Sequence, residues 1–532
     1  MFITVLGMRI RSLALSGLVF STLIGCGGGG SGASSTPSSD ILTWKKGIFA
    51  NQTAFESLCV TPRPGTNDRA GSTQHEKMWL RSWTNNTYLW YREIDDIDPT
   101  PLTVTNYFNK LKTTEQTSSG NAKDNFHFST STEEWKKRTN SGISLGYGAK
   151  FQIIKSTPPR NVTIAYVEPN SPAQKLGLMR GDRITTINGV DLINSSSQND
   201  IDLINSAIFP KSPQNEFNFQ FTRENSQDIS VSMKPTSLKS TPVQNVITIN
   251  TDNGTVGYFQ FNAHIKTSEK QLKEAIDTIK SQNVDDLVVD LRYNGGGLLD
   301  VANELAYMVA GQDKSKDKIF SKQQFNDQHP NTNPVTGRPL SPFGFHRTSQ
   351  GFSLGAGQPL PSLNLKRVFV LATASTCSAS EAFINGLRGI DVEVILIGTK
   401  TCGKPYGFYP TDNCGTTYFS IQFRSVNDKD FGDYSDGFEP SDRSVINGTQ
   451  IKGCSVADDF SHQLGDKNEA MLNAALVYQA TGKCPIQAGS TTATVSLQGY
   501  RQSKAEKALA IGPSKNSLDW FIENNNIITP QQ

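Results

Sequence analysis

Ser378 and Lys404 stand 26 positions apart, in Ser375-Thr376-Cys377-Ser378-Ala379-Ser380-Glu381 and Thr401-Cys402-Gly403-Lys404. A serine hydroxyl is a weak nucleophile until a neighbouring base takes its proton. Lysine serves as that base only when neutral, and free lysine titrates near ~10.4. Bringing it to about 7 requires about 4–5 kcal/mol of differential solvation. Burial away from acids can supply it. Gly403 and Pro405 flank Lys404, and no carboxylate lies within six residues on either side. These residues suit a serine nucleophile paired with a lysine general base.

The surrounding chain predicts how the two would meet. The serine ends a small-residue turn that opens onto a helical stretch, 382–388. Val392-Glu393-Val394-Ile395-Leu396-Ile397 reads as a buried strand. Lys404 follows on the next loop, so both residues can converge at one edge of a sheet. A second apolar strand, Leu287-Val288-Val289-Asp290, runs through Leu291-Arg292-Tyr293-Asn294 into Gly295-Gly296-Gly297. A helical stretch, 298–309, comes next. Glycines after a strand let backbone N–H groups approach a reacting atom. With the amide of Ala379, those of Gly295, Gly296 and Gly297 could form an oxyanion hole. No Gly-Lys-Ser/Thr follows, which argues against a nucleotide P-loop. A helix over 272–279 and a strand over 368–372 complete an α/β order.

Asp290-Leu291-Arg292-x-Asn294-Gly295-Gly296-Gly297, Ser378-Ala379-Ser380-Glu381 and Thr401-x-Gly403-Lys404 together resemble the carboxy-terminal-processing, or tail-specific, peptidases. Asp436-Gly437-Phe438-Glu439-Pro440-Ser441-Asp442 resembles a fourth element of that family, with changes. The resemblance covers roughly 237–450. It implies Ser378 as nucleophile, Lys404 as base, and oxyanion stabilisation by the 295–297 loop and Ala379. It also implies supporting positions at Arg292, Glu381 and Thr401. Many relatives carry a glutamine four residues after the lysine, where this chain has Phe408. Tyr406, Tyr409 and Gln422 are then candidates for a third member by chemistry alone. The departure keeps an alternative open: a catalytically inactive, PDZ-bearing pseudo-protease acting as a peptide- or protein-binding envelope module.

Leu145-Gly146-Tyr147-Gly148, followed by Ser171-Pro172-Ala173, Gly177-Leu178, Gly181-Asp182-Arg183-Ile184 and Ile187-Asn188-Gly189, resembles a PDZ domain. The resemblance makes 145–148 a carboxylate-binding loop. A substrate C-terminus would add beside it as a strand.

The first 40 residues set an expected location. Arg9 and Arg11 precede an apolar run, and Leu23-Ile24-Gly25-Cys26 follows. This is a secretory signal ending in small residues, and it looks like a bacterial lipoprotein cleavage site with Cys26 lipidated. Gly27 resembles outer-membrane sorting, which predicts an anchor in the inner leaflet of the outer membrane, facing the periplasm. A Gly/Ser-rich stretch, 27–39, reads as a flexible tether.

The expected organisation is an α/β multidomain chain. Signal peptide 1–25 and tether 26–45 lead into a helical N-terminal region, 46–138, where aromatics recur at helical spacing. A β-rich PDZ domain, 139–236, and an α/β peptidase core of the tail-specific type, 237–486, follow. Residues 312–365 read as a long loop insertion, and 487–532 as a polar tail with a helix over 504–510. The 532 residues carry 51 basic and 49 acidic side chains; losing the signal removes Arg9 and Arg11 and balances the charges, histidines taken as neutral. No basic block points to nucleic acid. Expected partners are protein or peptide substrates and, through the anchor, a membrane, with room for an adaptor protein. No cofactor and no metal site are expected, because metal-binding Cys and His spacings are absent. Cys59, Cys377, Cys402, Cys414, Cys454 and Cys484 allow up to three disulfides in an exported chain, in any of 15 connectivities. A bridge from Cys377 or Cys402 could rigidify the site.

Overall fold

The computed structural model describes residues 39–443, 448–485 and 511. The signal peptide, Cys26, most of the tether and the 504–510 helix lie outside the described residues. Ser39–Leu42, a short 3-10 turn, belongs to a first unit that ends at Thr43. The second unit, Trp44–Gln532, holds every element of the peptidase, PDZ and N-terminal regions. No helix among the described residues is long and apolar enough to cross a membrane.

The peptidase region is built on seven strands. Their order is Val243–Thr251, Gly254–Phe261, Asp286–Asp290, Arg367–Ala372, Glu393–Gly398, Gln450–Ser455 and Glu439–Ser441. All neighbours pair in parallel except the first two, which are antiparallel. The central strands are apolar between their ends because both faces are covered. Val289, Val370 and Leu396 pack with the helices Ser268–Lys280, Leu299–Ser315 and Ala379–Gly389. Val288, Phe369, Ile395 and Ile397 face the other way, onto Ala470–Thr481. The functional loops therefore leave the C-terminal ends of Asp286–Asp290, Arg367–Ala372 and Glu393–Gly398. In open α/β sheets, ligands bind at those ends.

Residues 312–365 are more structured than a loop insertion. Ile319–Phe325 is a strand, paired antiparallel with Phe423–Val426 in a four-stranded sheet that also holds Tyr406–Gly407 and Phe343–Gly344. Its polar composition concealed it. Beyond it, Glu269 receives the amides of Gly351, Ser353 and Leu354 and ties that part of the chain to the core.

The PDZ region is a sheet in the order Ile229–Met233, Phe217–Thr222, Arg183–Ile187, Asn161–Val167, Ala149–Lys155, with Val190–Asp191 pairing at its side. Ala149–Lys155 is its edge strand. The helix Gln198–Ile208 buries Ile201, Ile204, Ala207 and Ile208 in the same core.

The N-terminal region is less helical than its aromatic spacing predicts. Helices occupy Thr73–Thr87, Val104–Phe108 and Thr132–Ser141, and the rest is largely irregular. The intervening 95–101 segment is rich in Asp and Pro, which do not continue a helix. The aromatic stripe itself is core: Trp79 and Trp83 stack at 5.2 Å and meet Tyr418 of the peptidase region. Phe128–Ser131 joins the hairpin strand Thr416–Phe419. Disulfides link Cys59 to Cys414, Cys377 to Cys402 and Cys454 to Cys484.

Candidate active site

The nucleophile turn is set by a strained residue. Ser378 has φ 57° and ψ −112°, immediately before the helix Ala379–Gly389. A non-glycine residue there costs about 1–3 kcal/mol and persists only where its surroundings enforce it. Several contacts do so. Cys377 N donates to Asn294 O at 3.1 Å and Ser380 Oγ to the same carbonyl at 2.9 Å. Ser378 N donates to Glu381 Oε2 at 3.0 Å. The Ser378 side chain is 2 % exposed, and its Oγ has no hydrogen-bond partner among the described residues.

Glu381 brings the base loop to the nucleophile. Its buried carboxylate accepts Lys404 N at 2.8 Å, Gly403 N at 2.8 Å and Thr401 Oγ1 at 2.5 Å, besides Ser378 N. Ser378 N and Lys404 N share the oxygen Oε2, at 3.0 and 2.8 Å, so they lie within about 6 Å of each other. The Cys377–Cys402 disulfide, with Cα atoms 5.2 Å apart, closes the same gap covalently. Cys377, Glu381 and Cys402 would suit a metal by atom type, but the two sulfurs are bonded to each other. The Asp436-Gly437-Phe438 stretch supports the loop from behind: Phe438 N donates to Thr401 Oγ1 at 2.7 Å. Gly437 is required there, because a Cβ would meet Thr401 O at 2.1 Å.

Lys404 is 1 % exposed. Its Nζ lies 4.3 Å from the centre of the Phe408 ring and 4.9 Å from that of Phe126. Burial lowers its pKa to about 7, while the negative charges of Asp124 and Glu381 pull it partly back up. Asp124 is itself buried and accepts Tyr88 Oη at 2.6 Å and Phe126 N at 2.8 Å. The N-terminal region thus supplies both an apolar wall and the acid of the lysine pocket. No sequence signal short of three-dimensional contact joins 88, 124 and 126 to position 404.

Of the candidates for a third member, Tyr409 is held elsewhere. Its hydroxyl bonds Asn333 Nδ2 at 2.6 Å and Gln323 Oε1 at 3.2 Å. Gln422 Oε1 already accepts Tyr409 N at 2.8 Å. Tyr406 packs edge-on against Trp90, 4.8 Å away. Aromatic faces and a neighbouring acid border the lysine.

The glycine loop meets the nucleophile directly. A Cβ on Gly296 would lie 2.6 Å from Cys377 O, 2.8 Å from Ala379 N and 2.9 Å from Ser378 Cβ, at φ +106°. Only glycine fits. The expectation that Gly296 donates to an oxyanion is corrected, since its N–H is given to Asn294 Oδ1 at 2.9 Å. Gly295, Gly297 and Ala379 remain as the amide candidates. Asn294, to which the motif alone assigns no role, is the hub of the loop. Its Nδ2 donates to Phe261 O at 2.9 Å, and His264 Nδ1 lies 3.0 Å from its Oδ1. Because that oxygen accepts, His264 carries its proton on Nδ1; burial lowers the imidazole's pKa to about 3, so it stays neutral.

Arg292 does not reach the nucleophile turn with its side chain. Buried, it bonds Asp290 at 3.0 Å, Asp458 at 2.8 Å and Glu469 at 2.8 and 2.9 Å. Its carbonyl accepts Thr373 Oγ1, which fixes the strand ends. Arg180 of the PDZ region joins the same cluster, bonding Asp458 at 2.6 Å and Tyr293 Oη at 2.6 Å. The PDZ region is thereby in contact with the residue preceding Asn294.

In the PDZ turn, Leu145 and Gly146 pair with Ser237 and Thr236. Tyr147 is buried, with its hydroxyl donating to Ala207 O at 2.9 Å. Gly148 has φ +81°, and a Cβ there would strike Ser171. The turn thus sits between the edge strand and the helix Gln198–Ile208.

Residues 255–411 match peptidase family S41, and residues 163–207 match the PDZ domain. A CtpA-like serine protease of Staphylococcus epidermidis, described as probable, is 23% identical over 285 residues, 51% of this chain and 48% of that protein. A carboxyl-terminal-processing protease of a Picosynechococcus species is 24% identical over 271 residues, 50% of this chain and 56% of that protein. The chain spans about half the length of these curated relatives. A crystal structure from Bacteroides fragilis, named for the same S41 family, shares the fold with a TM-score of 0.56 at 23% identity, covering 79% of this chain and 99% of that one.

Proposed function

We propose that this chain, which matches peptidase family S41 over residues 255–411 and is similar to carboxyl-terminal-processing proteases, cleaves peptide bonds through an acyl-enzyme on Ser378, with Lys404 as general base. One observation carries the reading: a single buried carboxylate, Glu381, holds the backbone of both residues around the same oxygen. Lys404, poised near pH 7 by burial, takes the Ser378 proton as Oγ attacks the substrate carbonyl. Amides of Ala379 and of Gly295 or Gly297 receive the oxyanion. The C–N bond breaks, and Lys404 returns the proton to the leaving amine. Water, deprotonated by Lys404, then hydrolyses the ester and restores Ser378.

The PDZ region would receive substrate C-termini. The edge strand Ala149–Lys155 would offer main-chain partners to an extended peptide, and the 145–148 loop would receive its carboxylate. A peptide-binding module without catalysis has less in its favour. It leaves the buried, uncapped Ser378 hydroxyl and its backbone strain without a purpose.

An unfolded protein with an apolar C-terminus, incubated with the chain lacking residues 1–26, is expected to be cut by the parent. Ser378→Ala should leave it intact; equal cleavage by both would sink the proposal. The location reading extends the same proposal to a lipid anchor at Cys26 in the outer membrane. The mass of the mature N-terminal peptide tests it: a diacylglyceryl-modified Cys26 is expected, and an unmodified cysteine contradicts it.

A further inference from the structure

Ile511 stands 27 positions beyond Cys484, and it is 3 % exposed. It belongs to the apolar core of the PDZ region, with Tyr147, Phe151, Ile201, Ile204 and Ile208. Its N–H donates to Ser156 O at 3.0 Å. Ser156 directly follows the edge strand Ala149–Lys155, whose opposite side is paired to Asn161–Val167. A main-chain bond at the end of an edge strand, joined to an aliphatic side chain in the adjacent core, is the contact pair of a strand-adding peptide ligand. Nothing in the peptidase chemistry requires it.

We infer that the chain carries its own PDZ ligand: Ile511 docks just beyond the end of the edge strand and competes there with the extended part of a substrate peptide whose C-terminus lies toward the 145–148 loop. The inference rests on the reading of the PDZ region as a receptor for such termini. Ile511 suits the groove as an aliphatic substrate side chain would, since Phe151 and the buried face of Gln198–Ile208 supply apolar surface. Covalent connection makes the competition effective. Cys484 is fixed to Cys454 on the central sheet, so Ile511 is joined to an anchored point on the same molecule. A ligand joined to its receptor by a short length of chain meets it at an effective concentration of roughly millimolar. Even a weak internal ligand, with an intrinsic Kd of about 0.1 mM, would then weaken a free peptide's apparent affinity about tenfold. A substrate would have to displace it, which favours substrates with strongly apolar termini over random ones.

Two measurements on the full chain lacking residues 1–26, carrying Ser378→Ala to prevent turnover, test this. In the first, a fluorescein-labelled ten-residue peptide ending in Val-Val-Ala is titrated by anisotropy. Ile511→Asp is expected to bind it about tenfold tighter than the Ser378→Ala parent, and the peptide's C-terminal amide should bind neither. In the second, Ser156→Cys and Ile511→Cys are combined. The observed hydrogen bond sets the two main chains side by side, and a disulfide spans Cα separations of about 4.4–6.8 Å. The six cysteines of the described region are already bridged. The new bridge should form under mild oxidant and abolish peptide binding, whereas Ser156→Cys alone should bind as the parent does and Ile511→Cys alone at least as tightly. Failure of the bridge to form overturns the docking. A bridged chain that binds peptide as well as the parent overturns the competition. If the bridge forms but no variant binds the peptide, the receptor reading of the PDZ region falls and the competition falls with it. Cleavage by the Ser378–Lys404 pair is untouched by any of these results.

Discussion

Replacing Lys404 by alanine is expected to lower kcat/KM by about 10⁴ on an unfolded protein substrate, the upper range for loss of a general base. Lys404→Arg should be equally inactive, because a guanidinium does not give up its proton near neutrality. The parent's kcat/KM should rise with pH through one ionisation centred near 7. Burial lowers the Lys404 pKa to about that value, and only the neutral amine can accept the serine proton. Activity is therefore present above the midpoint and lost below it. Asp124 raises the Lys404 pKa, so Asp124→Asn should move the midpoint to lower pH. A merely structural role for Asp124 would lower activity without moving the midpoint. A rising limb near pH 5, unmoved in Asp124→Asn, would point to a carboxylate base instead.

The second large effect belongs to Glu381. Glu381→Ala should cost about 10²–10³ in kcat, since displacement of catalytic groups by about 1 Å costs about 10²-fold. The substitution leaves the amides of Ser378, Gly403 and Lys404 and the hydroxyl of Thr401 without their acceptor in a buried site. Each orphaned donor costs about 1–3 kcal/mol, so the melting temperature should fall as well. Glu381→Gln separates the two effects. It fills the space and keeps one acceptor oxygen, but turns an NH₂ toward donors. Much of the stability should return, whereas kcat should remain at least tenfold down. Steady-state kinetics beside thermal melts check this, and a kcat within threefold of the parent in Glu381→Ala would show that the disulfide alone positions the pair.

The chemistry-bearing motifs were legible because each is short and locally patterned. Strand 287–290, the glycine loop and the serine turn are read from apolar runs broken by small residues, and the parallel sheet follows from that order. Gly296 illustrates the limit. Its identity pointed to a close approach, which the structure contains, but which amide donates depends on Asn294, two residues away in sequence and folded back on the loop. The lysine pocket was not legible. Phe126 and Asp124 lie nearly three hundred positions before Lys404, on a segment whose irregular backbone gives no periodic signal. The strand Ile319–Phe325 was hidden for a different reason. Its exposed face is polar, and its partner, Phe423–Val426, is recognisable only once both are folded. Ile511 lies in a polar tail, where one aliphatic residue carries no pattern at all.

The central claim is that Ser378 becomes covalently acylated by the substrate. The direct measurement is rapid acid quenching of the chain during turnover of a peptide ester, followed by peptide mapping by mass spectrometry. The expected result is a burst of one acyl group per chain on the peptide containing Ser378, absent from Ser378→Ala and strongly slowed in Lys404→Ala. Turnover without any acyl adduct, or with an adduct on another residue, would contradict the account.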